Sequence, residues 1–331
     1  MVRIGLIGVG NVGRAHAEAI RSIPQAELTA VADPNEKAAS QLAQNHQATA
    51  YAEVYEMIEK EDLQAVIIAS PTPFHFFQAR TALESGLHVY IEPPLTRELR
   101  EAEELLQIAR GRNSVVTVGH ALRCFPEYTM MRDRVIAGGV GKPGMIRLGR
   151  RIQHPRGWTT NFESSGGVVL DAMIHELDYL RWTFGPVQRV FCRGLQGRAP
   201  TDKFDYALAS VRLESGAIAH IEASWCHYGQ NSLGVEIAGD RSLIRYDNQD
   251  AVPLRVSLID WNSGGCRLFS ESPVAKPAFR KMLESFLAAV RGEGENPVPL
   301  SEGVEAVRLA LAVLESLQSG RPAQPEGASA A

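Results

Sequence analysis

Cysteine is scarce in this chain and never closely spaced. The four that occur, Cys124, Cys192, Cys226 and Cys266, include no C-x-x-C pair. A metal site is therefore not expected, and reduced thiols in a cytoplasmic protein are the default. Positive charge is also undersupplied. The formal net charge is −4 and no basic run is long enough to track a phosphate backbone, so nucleic acid is not an expected partner. Long apolar runs are missing too. None approaches the length of a membrane span, and a first strand beginning at residue 2 leaves no room for a signal peptide. What is present, 45% hydrophobic and 22% charged residues over 331 positions, suits an ordinary soluble protein of two domains.

The strongest signal lies at the start. Arg3-Ile4-Gly5-Leu6-Ile7 reads as a buried strand and runs directly into Gly8-Val9-Gly10-Asn11-Val12-Gly13. A helix is expected from about Val12 to Ile23, then a second apolar run, Leu28 to Ala32, that ends on Asp33. In such a unit the first glycine allows a tight turn, the second lets the backbone touch a pyrophosphate, and the third lets helix pack on strand. The helix N-terminus offers unpaired N–H groups to the same pyrophosphate. Asp33, 20 residues beyond Gly13, stands where a carboxylate accepts from an adenosine ribose and repels a 2′-phosphate. The expected cofactor is NAD rather than NADP. FAD is another dinucleotide of this kind, but nothing else in the chain suggests a flavin.

Strands are expected near 2–7, 27–33, 64–69, 87–91 and 114–119, with helices near 12–23, 35–45, 53–60, 73–85 and 97–111. That alternation predicts a doubly wound parallel sheet over residues 1–121. Thr72-Pro73 reads as a helix start, threonine capping and proline in the first turn. From 122 to 331 the rhythm changes. Strand-like alternation appears at 143–154, 187–194, 204–213, 217–226, 232–239 and 241–247, with hairpin turns at Glu214-Ser215-Gly216 and Gly239-Asp240. One helix is expected from Gly167 to Phe184, and two near 277–291 and 301–319. The second domain is expected to be α+β, with a mainly antiparallel open-faced sheet that pairs copies into a homodimer or homotetramer. Residues from Pro322 onward read as a frayed end.

Asp171, His175 and Asp178 follow Gly166-Gly167 at i, i+4 and i+7, on one face of the expected helix. A histidine flanked by two acids suits proton transfer near neutral pH, and a first-turn position favours ionised Asp171. A buried polar cluster that merely fixes the helix is the competing reading.

With these residues in place, the chain resembles the glucose–fructose oxidoreductase/inositol dehydrogenase group, Gfo/Idh/MocA. The resemblance covers nearly the whole chain: the glycine turn, the domain order and the Gly-Gly-x-x-x-Asp-x-x-x-His-x-x-Asp segment. Weaker matches are Thr72-Pro73 with His75, and Gly119 to Arg123 with Pro126 and Tyr128. The resemblance implies NAD-dependent hydride transfer on sugars, cyclic polyols or derivatives, with His175 as the proton-transfer residue and Asp171 supporting it. One departure stands out. The family's Glu-Lys-Pro is here Glu92-Pro93-Pro94, so a proline without charge or proton occupies the lysine position. Proton transfer by His175 alone, or a donor from His120 or Arg123, would compensate.

Expected cofactor contacts are Gly8, Gly10, Asn11, Val12, Gly13, Asp33, Ser70, Thr72, His75, Glu92 and Pro93. Expected substrate contacts are His120, Arg123, Trp158, Asp171 and His175. Trp158 lies in a polar stretch that suits a sugar site or equally a surface loop. Trp225 reads as a packed aromatic. Arg150 shares a strand face with Ile146, Leu148 and Ile152, so it needs an anionic partner if buried; a carboxylate from another subunit is favoured over an acidic substrate. Pro93 keeps two other classes open. One is a cofactor-binding protein with little or no dehydrogenase activity, acting as a sensor or partner subunit. The other is a redox-assisted lyase or hydrolase.

Overall fold

The computed structural model describes residues 1–196, 203–249 and 278–325. The first strands and helices alternate: β1 (Val2–Ile7), α1 (Asn11–Arg21), β2 (Ala26–Ala32), α2 (Glu36–His46), β3 (Thr49–Tyr51), α3 (Val54–Lys60), β4 (Ala65–Ile68), α4 (His75–Glu84), β5 (His88–Ile91), α5 (Leu99–Ala109) and β6 (Val116–Val118). They form one parallel sheet in the order β3-β2-β1-β4-β5-β6. Nearly every residue of β1, β4 and β5 is buried, as a sheet covered on both faces requires. The order in which successive strands are added reverses between β1 and β4. Crevices for ligands open at the carboxyl ends of strands flanking such a reversal. The three-residue strand β3 escaped the sequence reading, being an edge element too short to show alternation.

The second series is α6 (Pro126–Ile136), β7 (Pro143–Arg151), α7 (Phe162–Ser165), a π-helical turn (Val169–Met173), α8 (Ile174–Phe184), β8 (Val187–Leu195), β9 (Tyr206–Leu213), β10 (Ile218–Ser224), β11 (Ser232–Gly239) and β12 (Leu243–Asp247). Its sheet runs β12-β11-β7-β10-β9-β8. Only the β7–β10 pair is parallel; the other pairs are antiparallel. One face of this sheet carries Ile146, Leu148, Val211, Ile221 and Ile237, all buried. Helix α6 was not foreseen either. Exposed Met130 and Ile136 beside buried Tyr128 and Met131 blur its 3.6-residue period.

Two helices close the described chain, α9 (Ala278–Val290) and α10 (Leu300–Ser319). The chain divides into two compact units, Met1–Cys124 with Lys276–Val307, and Phe125–Ala275 with Arg308–Ala331. This differs from a single cut after residue 121, because a late segment returns to the first unit. Val298 accepts from the Val118 amide, and the Asn296 side chain bonds Val116 and Thr117, so that segment borders β6. The expected frayed end also needs correction. Ala323 and Val190 exchange backbone hydrogen bonds of 2.9 Å each, which ties the chain to β8 at Ala323. Residues 326–331, and Cys266, lie outside the described residues.

Candidate functional site

In the first unit the turn after β1 is shaped by its glycines. Gly8 has φ +91°, and a Cβ there would meet the Ala69–Ser70 backbone at 2.7 Å. A Cβ on Gly13 would stand 2.0 Å from the Gly8 carbonyl oxygen. Both positions are closed by the protein itself. Gly10 differs: a Cβ there meets nothing within 4 Å, and its φ of −64° suits any residue. No steric demand from the fold explains a glycine at that position. A ligand lying against the backbone would. Asn11 and Val12 follow, both exposed at the start of α1, whose N-terminal amides have no side-chain cap.

Asp33 leaves the end of β2 half-buried. Its Oδ2 accepts from the Val9 amide at 2.9 Å and its Oδ1 from the Asn35 amide at 2.8 Å. The carboxylate thus ties the glycine turn to the second strand.

Beyond β4, the Ser70 hydroxyl donates to Gln78 Oε1 at 2.6 Å. Thr72 is buried but does not cap. It is the first residue of a 3₁₀ turn whose N-cap is Pro71, with no side-chain capping bond. His75 is buried, its Nδ1 3.0 Å from the Pro94 carbonyl oxygen and its Nε2 2.9 Å from that of Ser70. Burial pushes its pKa down, against the pull of both carbonyls and the charge of Glu92. Its ring bridges the chain ends of β4 and β5.

After β5, Glu92 Oε1 lies 2.6 Å from Nε2 of His16, a fully buried residue of α1 that sequence reasoning passed over. Its place three residues past the glycine turn was the only available signal. The Pro93–Pro94 bond is cis. His120 is buried just beyond β6, and Arg123 donates to Glu302 Oε2 at 2.9 Å, so that guanidinium is engaged by a carboxylate of α10.

In the second unit, Gly166 and Gly167 turn the chain with φ +77° and +69° into the π turn. The expected continuous α-helix therefore fails at its start. A π turn takes an extra residue, so the α-helical count that aligned Asp171, His175 and Asp178 does not hold across Met173. Asp171 sits within the turn, His175 is half-buried in the first turn of α8, and Asp178 is buried. Trp225, at the end of β10, is buried and donates from Nε1 to Asp171 Oδ2 at 3.1 Å. The expected dipole effect on Asp171 is outweighed. Burial pushes its pKa up to about 6, against the Trp225 bond and the Arg150 charge, which lower it.

The Arg150 expectation is corrected as well. Its carboxylate partner comes from the same chain: Nε lies 2.9 Å from both oxygens of Glu176, a buried residue adjacent to His175. Trp158 lies in a 3₁₀ turn, Gly157–Thr160, and is 39% exposed.

Comparison with known proteins covers both units. The description "Oxidoreductase family, NAD-binding Rossmann fold" matches residues 2–120, and "GFO/IDH/MocA C-terminal domain" matches residues 128–245. The UDP-N-acetylglucosamine 3-dehydrogenase of Acidithiobacillus ferrooxidans is 34% identical over 224 residues, 67% of each chain. The myo-inositol 2-dehydrogenase of Thermotoga maritima is 26% identical across 98% of this chain and 99% of its own. A crystal structure of a myo-inositol dehydrogenase from Corynebacterium glutamicum superimposes with a TM-score of 0.82 at 26% identity, over 99% of this chain and 100% of that one.

Proposed function

The chain belongs to the Gfo/Idh/MocA family of NAD-binding oxidoreductases, dehydrogenases acting on CH–OH groups, and from that premise we propose that it oxidises a sugar or cyclic polyol with NAD. The observation that carries this reading is Gly10, a glycine whose missing side chain the fold itself does not require. NAD over NADP follows from Asp33, whose carboxylate would repel a 2′-phosphate. Gly8, Asn11, Val12 and Gly13 would shape the pyrophosphate end. Ser70, Thr72, His75, Glu92 and Pro93 would line the carboxyl ends of β4 and β5.

When bound, NAD supplies the hydride acceptor. His175 takes the hydroxyl proton as the carbinol carbon becomes a carbonyl. Asp171, ionised above about pH 6, stabilises the imidazolium. Arg123 is a poor substitute for the family lysine, being held by Glu302 and unable to release a proton. His120 and Trp158 remain candidate contacts for substrate hydroxyls and a sugar face.

The test is binding of NADH and NADPH, read by fluorescence. Gly10→Val should keep the melting temperature and lose NADH affinity, whereas Gly13→Ala should damage the fold. Unchanged affinity in Gly10→Val removes the dinucleotide from this turn. Pro93 favours a second reading, a cofactor-binding subunit with little turnover. Tight NADH binding without oxidation of any inositol or sugar in a panel selects it.

A further inference from the structure

The segment Glu92-Pro93-Pro94 is held from two helices. On one side His16 of α1 contacts Glu92; on the other His75 of α4 contacts the Pro94 carbonyl. The His16 contact is enclosed. The imidazole is 0% exposed, with its edge against Tyr90 and Phe279 at centroid distances of 5.1 and 5.4 Å. Among the described residues its Nδ1 has no hydrogen-bond partner. A carboxylate only accepts, so the ring proton belongs on Nε2 and points at Glu92. Gly119 leaves room for this arrangement, because a Cβ there would stand 3.0 Å from Glu92 Oε1 and 2.7 Å from the Tyr90 hydroxyl.

We propose that His16 is a positioning residue: it anchors Glu92 and, with His75, fixes the backbone at Pro93, where relatives of this family carry a lysine side chain. The proposal rests on the dehydrogenase reading, since it makes this segment part of the wall against which substrate is aligned. A proline there can align a substrate only through its backbone placement, which is what the two histidines determine. His16 acts through Glu92 and touches neither cofactor nor substrate.

The experiment compares the wild-type chain with His16→Phe, which keeps ring packing and loses the bond, and His16→Gln, whose amide can donate from the same reach. NADH affinity, oxidation of inositol isomers, and amide hydrogen exchange at Glu92, Leu95 and Thr96 are measured together. His16→Phe is expected to speed exchange in this segment. It should lower kcat by about tenfold or more, because small misplacements at a reacting centre are costly. His16→Gln should restore most of both losses. Unchanged exchange in His16→Phe overturns the proposal whatever the turnover, as does an equal loss of kcat in both variants. Failure of the wild-type chain to bind NADH instead strikes the functional reading, and the exchange result still decides whether His16 holds the segment.

Discussion

In the proposed reaction the carboxylate of Asp171 can support an imidazolium only when ionised, yet its surroundings resist ionisation. Burial raises its pKa to about 6 while the Trp225 N–H pulls it back. Two outcomes follow at this scale. The rate should fall as pH drops through about 6, and Trp225→Phe, by deleting the donor, should move that acid limb to higher pH in a kcat/KM profile. The same shift governs stability. A carboxyl whose folded pKa lies above its unfolded value favours folding when protonated, so that contribution is complete below the unfolded pKa and lost as pH rises through about 6. Asp171→Asn should therefore raise the melting temperature at about pH 8, and the gain should vanish near pH 4, where the wild-type carboxyl is protonated anyway. A melting temperature equal at both pH values would contradict this account. Asp171 and His175 were visible in the sequence as an acid and a histidine four residues apart. Trp225 was visible only as an aromatic, because its bond to Asp171 spans 54 residues.

Among the elements, the parallel strands and their helices were legible because short apolar runs alternating with amphipathic stretches are a local pattern. The π turn was not. It arises where Gly166-Gly167 deliver the chain onto β10, and no residue spacing announces an extra residue in a turn. Beyond it Glu176, which the sequence reading did not single out, is the buried partner of Arg150. With Glu176 fully buried and Arg150 nearly so, removing one charge strands the other. Arg150→Met should cost about 3–5 kcal/mol, whereas the double change Arg150→Met with Glu176→Leu should recover much of it. Urea denaturation measures both. A single variant as stable as the double would mean that the pair is not desolvated as described. His175 immediately precedes Glu176, so under the proposed function kcat should fall with stability in the single variant.

For the whole molecule, the second sheet carries a run of exposed apolar side chains on one face among the described residues. Phe191, Leu195, Leu208, Ile218 and Leu243 are exposed, and strand register sets them on the same side as Arg147, Arg193 and Glu222. An apolar face of this kind suits burial against another copy. Ile218→Glu should lower the mass in light scattering towards that of one chain; wild-type protein already at that mass would refute the pairing. No helix among the described residues is long and apolar enough to cross a membrane. The amino-acid order alone determined the glycine turn, the order of strands and helices, and the change from a parallel to a mainly antiparallel sheet, because these depend on neighbours a few residues apart. Tertiary structure decided which charges and rings meet: His16 with Glu92, Arg150 with Glu176, Trp225 with Asp171, and the late segment returning to β6. Those pairings join residues far apart in the chain. Their ionisation and strength depend on burial, which exists only once the elements have packed.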